Sequence, residues 1–368
     1  MTSLCSQDLG SCHAASTTTT LTSETLTMTC TRHFTHAALF ALASLFPFCT
    51  PAQSLAPPHA PLVEGKPVPV MAHPAQMSLL NSTTPALAAN KKLVHEFWRT
   101  VMLSGQAAKS ADFLADNFVE HDPLLPTSRA AFQRYVAEHS KPTSVPAMIT
   151  DLVTLVAEGP FVAMVQVAHY PEPDNAKLNY TSARFDLFRL EKGRITEHWD
   201  STLFRAGQQV PDYGKDNAVP VSGTPGTAQL PLLANADPGL FINKRLAFDL
   251  WRNIPEGGRE ELADIYLAPT YIQHNPNAAT GREGFKEYFK RRPDSDVESY
   301  LETPLVAMVA EGDLVVQVLQ TTRNQNGKTY QVPWFDMFRI ENGVVAEHWD
   351  TASKGEIPAA TPGGALGL

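Results

Sequence analysis

Two short runs carry the residues with the most chemical potential. His348 and Asp350 are separated by one residue in Glu347-His-Trp-Asp350, and His198 and Asp200 stand in the same relation in Glu197-His-Trp-Asp200. If each run is a β-strand, both side chains leave the same face, because side chains alternate with period two. Upstream, Asp336 shares a face with Phe338 and Ile340, and Asp186 shares one with Phe188 and Leu190. A carboxylate on an apolar face is costly to ionise unless it is paired. Burial therefore raises its pKa and suits it to general acid–base work, with a nearby imidazole to share the proton. His121 and His274 each open a short turn before a proline, where an imidazole could reach a pocket mouth. Trp199, Trp349, Trp251, Phe338, Tyr180 and Tyr330 are the candidate substrate contacts, although packing accounts for the tryptophans and tyrosines as well. The set His348, Asp350 and His274, with its counterpart His198, Asp200 and His121, has the ligand types of a two-histidine, one-carboxylate metal site. His-x-Asp on one strand is a loose metal signal.

These residues occur in pairs because one unit is written twice. Asn90-KKLVHEFWR matches Asn243-KRLAFDLWR, and Phe118-VEHDP matches Tyr271-IQHNP. Phe185-DLFRLEKGRITEHWD matches Phe335-DMFRIENGVVAEHWD, with ten of sixteen positions identical. The offset is 153 residues up to Gly159/Gly312 and 150 from Tyr180/Tyr330 onward. A period this long excludes a solenoid and indicates a tandem duplication. The spacing predicts helices first, with Asn90 and Asn243 as N-caps. Leu93, Val94, Phe97, Trp98 and Val101 form an apolar stripe, repeated by Leu246, Ala247, Leu250 and Trp251. Short helices are expected over 110–118 and 259–267, and again over 128–139 and 281–290. Strands come next over 152–158, 161–169, 180–190 and 194–200, and over 305–310, 314–321 and two further runs to Asp350. Glu-Lys-Gly and Glu-Asn-Gly mark the last hairpins. Helices followed by an antiparallel sheet make each copy α+β. Phe185, Leu187, Phe335 and Met337 leave the second face of the sheets apolar too. Each sheet therefore needs two partners, its own helices and the other copy, which gives an intrachain pseudo-dimer.

The expected organisation is residues 1–56 as upstream sequence and secretory signal, 57–88 as a disordered linker and 89–205 as the first domain. Residues 206–238 form a second linker, 239–354 the second domain and 355–368 a disordered tail. The signal reading rests on the apolar run after His36, too short to span a bilayer, and on Ser54 and Ala56 as small residues before a cut; Met28 is the expected start. It implies a secreted or periplasmic protein with no membrane span after processing. All four cysteines (Cys5, Cys12, Cys30 and Cys49) precede that cut, so the remaining chain has no thiol chemistry. The 368 residues carry a net charge of -9 without a basic block, so no nucleic-acid footprint is present.

The motifs Tyr271-IQHNPNAATGREGFKEYF, Val309-AEGD and Phe335-DMFRIENGVVAEHWD, with their first-copy counterparts, resemble the SnoaL-like polyketide-cyclase group. Within it, the resemblance is to the branch described as predicted aldol-condensation proteins, in the nuclear-transport-factor-like cone fold. It covers about 220 of the 368 residues. It implies a cone-shaped apolar pocket whose polar floor does acid–base work without metal or organic cofactor. The implied function is proton transfer on a carbonyl substrate, and the alternative is a non-catalytic module for an apolar small molecule. The first copy departs from the pattern at Asp122 and Ser128, where the second has Asn275 and Gly281, so the second copy is the expected active half. Arg184-Phe-Asp186 resembles the Arg/Asp pairing of limonene-epoxide-hydrolase relatives, but Trp334 replaces Arg184 in the second copy.

Overall fold

The structure is a computed structural model that describes residues 54–201, 204–205, 207–290 and 303–355. The expected signal region, apart from Ser54 to Ala56, and nearly all of the expected C-terminal tail lie outside the described residues.

Both first helices start earlier than the asparagines suggest. Helix α1 (Pro85–Phe97) begins after an extended Thr84, and α4 (Pro238–Trp251) is capped by Asp237, whose carboxylate accepts from the Gly239 and Leu240 amides. Proline at the first helical position has no N–H to leave unpaired and its φ already suits the helix, so it fixes the start. Asn90 and Asn243 are therefore interior residues. The expected second helices shrink to single turns, α2 (Ser110–Phe113) and α5 (Ala263–Tyr266). Immediately after each turn the chain extends into a strand, β1 (Leu114–Glu120) and β6 (Leu267–Gln273). Helices α3 (Arg129–His139) and α6 (Arg282–Phe289) fall where expected, and Ser128 Oγ caps α3 by accepting from the Ala131 amide.

The remaining strands are β2 (Leu152–Glu158), β3 (Phe161–Glu172), β4 (Asn175–Glu191) and β5 (Arg194–Asp200) in the first copy. The second has β7 (Leu305–Glu311), β8 (Leu314–Gln325), β9 (Lys328–Glu341) and β10 (Val344–Asp350). The two five-stranded sheets have matching orders, β1-β5-β4-β3-β2 and β6-β10-β9-β8-β7. Each is antiparallel except at its first strand, which pairs in parallel with the last, so both sheets are mixed. The β4–β5 and β9–β10 turns place Lys192-Gly193 and Asn342-Gly343 at positive φ, the double left-handed step of a two-residue hairpin.

One face of each sheet packs on its helices, with Phe97, Phe132 and Phe188 in the first copy and Trp251, Phe285 and Phe338 in the second. The outer faces share a third core, where Val156, Phe185 and Leu187 meet Val309, Phe335 and Met337; the Phe185 and Phe335 rings stack at 5.4 Å. Two reciprocal ion pairs cross the same seam. Lys91 reaches Glu311 at 2.6 Å and Lys244 reaches Glu158 at 2.8 Å. Each glutamate also accepts from a backbone amide of the opposite copy, Ala157 N–H to Glu311 at 2.8 Å and Ala310 N–H to Glu158 at 2.7 Å.

Residues 57–88 are not a disordered linker. Val68 N–H donates to Gln273 O, Val70 N–H to Thr181 Oγ1 and His73 N–H to Leu152 O, each at 2.8 Å. The stretch before the second copy repeats the pattern. Val219 N–H donates to Glu120 O (2.9 Å), Val221 N–H to Gln331 O (3.3 Å) and Thr224 N–H to Leu305 O (2.8 Å). The duplicated unit thus includes Val68-Pro-Val70 and Val219-Pro-Val221. Each segment is a strap that crosses the other copy before joining its own. Proline-rich composition correctly implies extended backbone, but the valines between the prolines keep their donors and must pair once buried.

Candidate functional site

On β9 and β10 the side chains of Asp336, Phe338, His348 and Asp350 face the helices. His348 is the register partner of Phe338, and Asp350 that of Asp336, so the two carboxylates lie side by side. Over them close Leu250 and Trp251 from α4 and Phe285, Tyr288 and Phe289 from α6, with Trp334 from β9. The resulting cleft has about 430 Å3 of empty space, open solvent at its mouth included.

The floor is an ordered hydrogen-bond chain. Gln273 Oε1 accepts from the Asn275 amide (2.9 Å), and Gln273 Nε2 donates to the Tyr271 hydroxyl (3.0 Å). That fixed amide presents its oxygen to His348 Nδ1 at 3.0 Å, so Nδ1 carries a proton. His348 Nε2 faces Asp336 Oδ1 at 3.0 Å, and one proton is shared there. Asp336 Oδ2 has no hydrogen-bond partner among the described residues, although Asp336 is only 3% exposed. Asp350 accepts from Asn275 Nδ2 (2.6 Å) and from the Ala352 amide (3.1 Å). Burial pushes the Asp350 carboxyl up to about 6; the Asp336 charge adds to this and His348 opposes it. Asp336, His348 and Asp350 each present an atom within 4.8 Å of the others, which is also the donor set of a small cation site.

A measurable pH dependence arises from Asp350. Its folded pKa of about 6 lies above the ordinary 3.8. The native state therefore holds the proton more tightly, and the stability this confers is full below pH 4 and lost as pH rises through 6. The difference amounts to about 3 kcal/mol. In denaturant unfolding of wild type and Asp350→Asn between pH 4 and 8, the gap between the two curves should change by up to that amount. Parallel curves would show that Asp350 titrates normally.

The structure separates the other predicted residues from this floor. His274 comes directly after Gln273 and so faces the opposite side. Its Nδ1 donates to Val68 O (2.8 Å), its Nε2 meets Glu347 Oε1 (2.8 Å), and its ring stacks on Trp349. His121 repeats this against Val219 O and Trp199. Trp199 and Trp349 belong to the core between the sheets, not to a substrate contact, because each lies between two inward-facing residues of its strand. Tyr180 and Tyr330 sit towards the far end of long strands; Tyr180 Oη accepts from the Lys354 amide and Tyr330 packs on Phe204. Neither lines the cleft. Trp251 and Phe338 do.

In the first copy the corresponding acids are tied up. His198 lies between Glu120 (2.9 Å) and Asp186 (3.3 Å). Burial works against a charged ring there, yet the two carboxylates hold His198 well above its usual range. Arg184 bridges Asp186 (3.4 Å) and Asp200 (3.3 Å), and Gln166 donates to Asp186 Oδ2 (3.3 Å). Glu120 and Gln273 were missed from the sequence. Their signal was the alternation of β1 and β6, where no strand was expected; the expected helices end at 118 and 267, short of both residues.

The family model of the SnoaL-like domain matches residues 94–198 and 250–348, together more than half of the chain. Among solved structures, TsrD from Streptomyces laurentii is 25% identical over 32% of this chain and 90% of its own, with a TM-score of 0.25. A candidate polyketide cyclase from Acidithiobacillus ferrooxidans is 19% identical over 33% of this chain and 89% of its own, with a TM-score of 0.24. One from Bacillus cereus is 20% identical over 31% and 80%, with a TM-score of 0.25. No curated protein matches the chain. With the domain matched once in each half and a helix-covered five-stranded sheet formed twice over in the same strand order, the chain belongs to the SnoaL-like family as a tandem of two copies.

Proposed function

We propose that the second copy is a small-molecule pocket for acid–base proton transfer next to a carbonyl group. The observation that carries this reading is the buried Asp336 Oδ2, which has no partner while Oδ1 of the same carboxylate is held by His348. An oxygen left open at the base of an apolar cleft is placed to take a proton, and the imidazole behind it holds the carboxylate in register and steadies its charge. In the proposed step the C–H bond beside the carbonyl breaks, its proton goes to Asp336 Oδ2, and the electron pair moves to the carbonyl oxygen. Asp350 engages the polar group of the substrate, as a donor when protonated and as an acceptor when ionised. The apolar run after His36 supports export as the setting for this chemistry. The first copy, with its acids paired internally, favours a scaffold role for that half.

The test is α-proton exchange. Wild-type protein in D2O with neutral ketones such as acetophenone and 4-phenyl-2-butanone, followed by proton NMR, should exchange α-protons faster than buffer. The rate should survive Asp186→Asn and fall in Asp336→Asn. Exchange at the buffer rate across the panel, or undiminished exchange in Asp336→Asn, would sink the reading and leave the binding alternative.

A further inference from the structure

The first copy shows how this floor is satisfied when a cation is built in. The Arg184 guanidinium bridges Asp186 and Asp200 and lies over the Trp98 ring, 5.3 Å from its centroid. Asp336, Asp350 and Trp251 are the counterparts of all three partners, but the arginine position is Trp334. The second copy also replaces Glu120 and Asp122 with Gln273 and Asn275. Two carboxylates remain against one imidazole, and among the described residues no Lys or Arg lines the cleft. The first copy gives Asp186 Oδ2 a donor in Gln166, whereas Asp336 Oδ2 has none. The aromatic walls add ring faces of negative potential, which attract cations most strongly when water is excluded.

We propose that the second cone binds a small organic cation, a protonated amine or amidinium on an apolar body, with its charged nitrogen between Asp336 and Asp350 over Trp251. This rests on the second cone being the ligand pocket and narrows its substrate class to carbonyl compounds that carry such a nitrogen. The ligand N–H groups donate to Asp350 and to Asp336 Oδ1, the counterparts of the oxygens that Arg184 bridges in the first copy, and Asp336 Oδ2, whose first-copy donor is Gln166, stays open to take the C–H proton. An anionic head group seated there would instead face two carboxylates, with no Lys or Arg among the described lining residues. A cationic nitrogen also acidifies the C–H bonds beside it, which suits the proton transfer proposed above.

Isothermal titration of the full chain at neutral pH with 2-phenylethylamine, 2-phenylethanol and phenylacetate separates the head groups on one common body. The amine should bind at least about tenfold more tightly than the alcohol, the span of one charge-assisted hydrogen bond. Phenylacetate should bind most weakly. Asp336→Asn should bring amine and alcohol to within about threefold of each other, since the charge assistance is gone. Trp334→Arg, which recreates the first-copy guanidinium, should remove amine binding while a cooperative thermal transition shows that the fold is kept. Equal wild-type affinities for amine and alcohol, or amine affinity unchanged in Asp336→Asn, would overturn the cation proposal and leave the pocket reading intact. Absence of binding by all three would also overturn it, and the α-proton exchange assay then decides separately whether the acid–base reading stands.

Discussion

Asp336→Asn is expected to lower the rate of α-proton exchange by about 10²–10⁴-fold, the span contributed by a positioned general base. The substitution keeps the shape of the side chain and removes only its ability to accept a proton. It should also keep the local fold. His348 Nδ1 is already committed to Gln273, so Nε2 can stay unprotonated and accept from the new amide where it now meets Asp336 Oδ1 at 3.0 Å. The loss should appear in kcat for a neutral carbonyl substrate. The matching change in the first copy, Asp186→Asn, should leave kcat unaltered, because that carboxylate is engaged by Arg184, His198 and Gln166. A deficit confined to KM would assign Asp336 to binding rather than to proton transfer.

Glu311→Gln should be the most destabilising single change at the seam, by about 3–5 kcal/mol, the cost of leaving one member of a buried ion pair without its partner. Lys91 is fully buried, and burial already lowers its pKa against the pull of Glu311. Without that carboxylate the ammonium must either stay charged in an apolar seam or give up its proton. The deficit should therefore shrink as pH rises towards the ordinary lysine range. Replacing both partners, as Lys91→Met with Glu311→Leu, should recover most of the loss because no charge is left behind. Urea unfolding of the two variants checks this, and a single transition is expected in both, since the outer faces of the two sheets form one core. An unchanged midpoint for Glu311→Gln would mean that the pair contributes nothing. Glu158→Gln should cost less, because Asn235 also donates to Glu158 and its side chain is 20% exposed.

Much of the architecture can be read along the chain. The repeat is a comparison of the sequence with itself and needs no coordinates. The two apolar faces of β4 and β9 come from period two, which is a local property, and they imply both a helical layer and a second sheet. The same alternation placed Asp336, His348 and Asp350 on one face. It equally places Trp349, between His348 and Asp350, on the other, so the expectation that this tryptophan lines the pocket did not carry the alternation through the strand.

Three matters were decided only by tertiary structure. The first strand of each sheet pairs in parallel with the last, a contact between segments about eighty residues apart that leaves no local pattern. With no strand expected there, Gln273 had no assigned face and His274 could be imagined at the pocket. In a strand, consecutive residues face opposite sides, so the residue that meets His348 is Gln273, and His274 is turned towards the strap. The straps themselves look like linkers, because an extended, proline-rich segment has the same composition whether it is solvated or docked. Only the acceptors supplied by the other copy tell the two apart. Last, both copies carry the same Asp, His and Asp, and their sequences do not say which floor is open. Two side chains settle it: Arg184 bridges the two carboxylates of the first copy and Gln166 donates to Asp186 Oδ2, whereas Trp334 and Leu319 stand in their places in the second, which leaves Asp336 Oδ2 without a donor. Composition and periodicity thus determined a duplicated α+β unit with acid–base residues on an apolar face, and the family resemblance implied the cone. Which of those residues face one another was decided by long-range pairing, where a shift of one residue along a strand reverses every side chain.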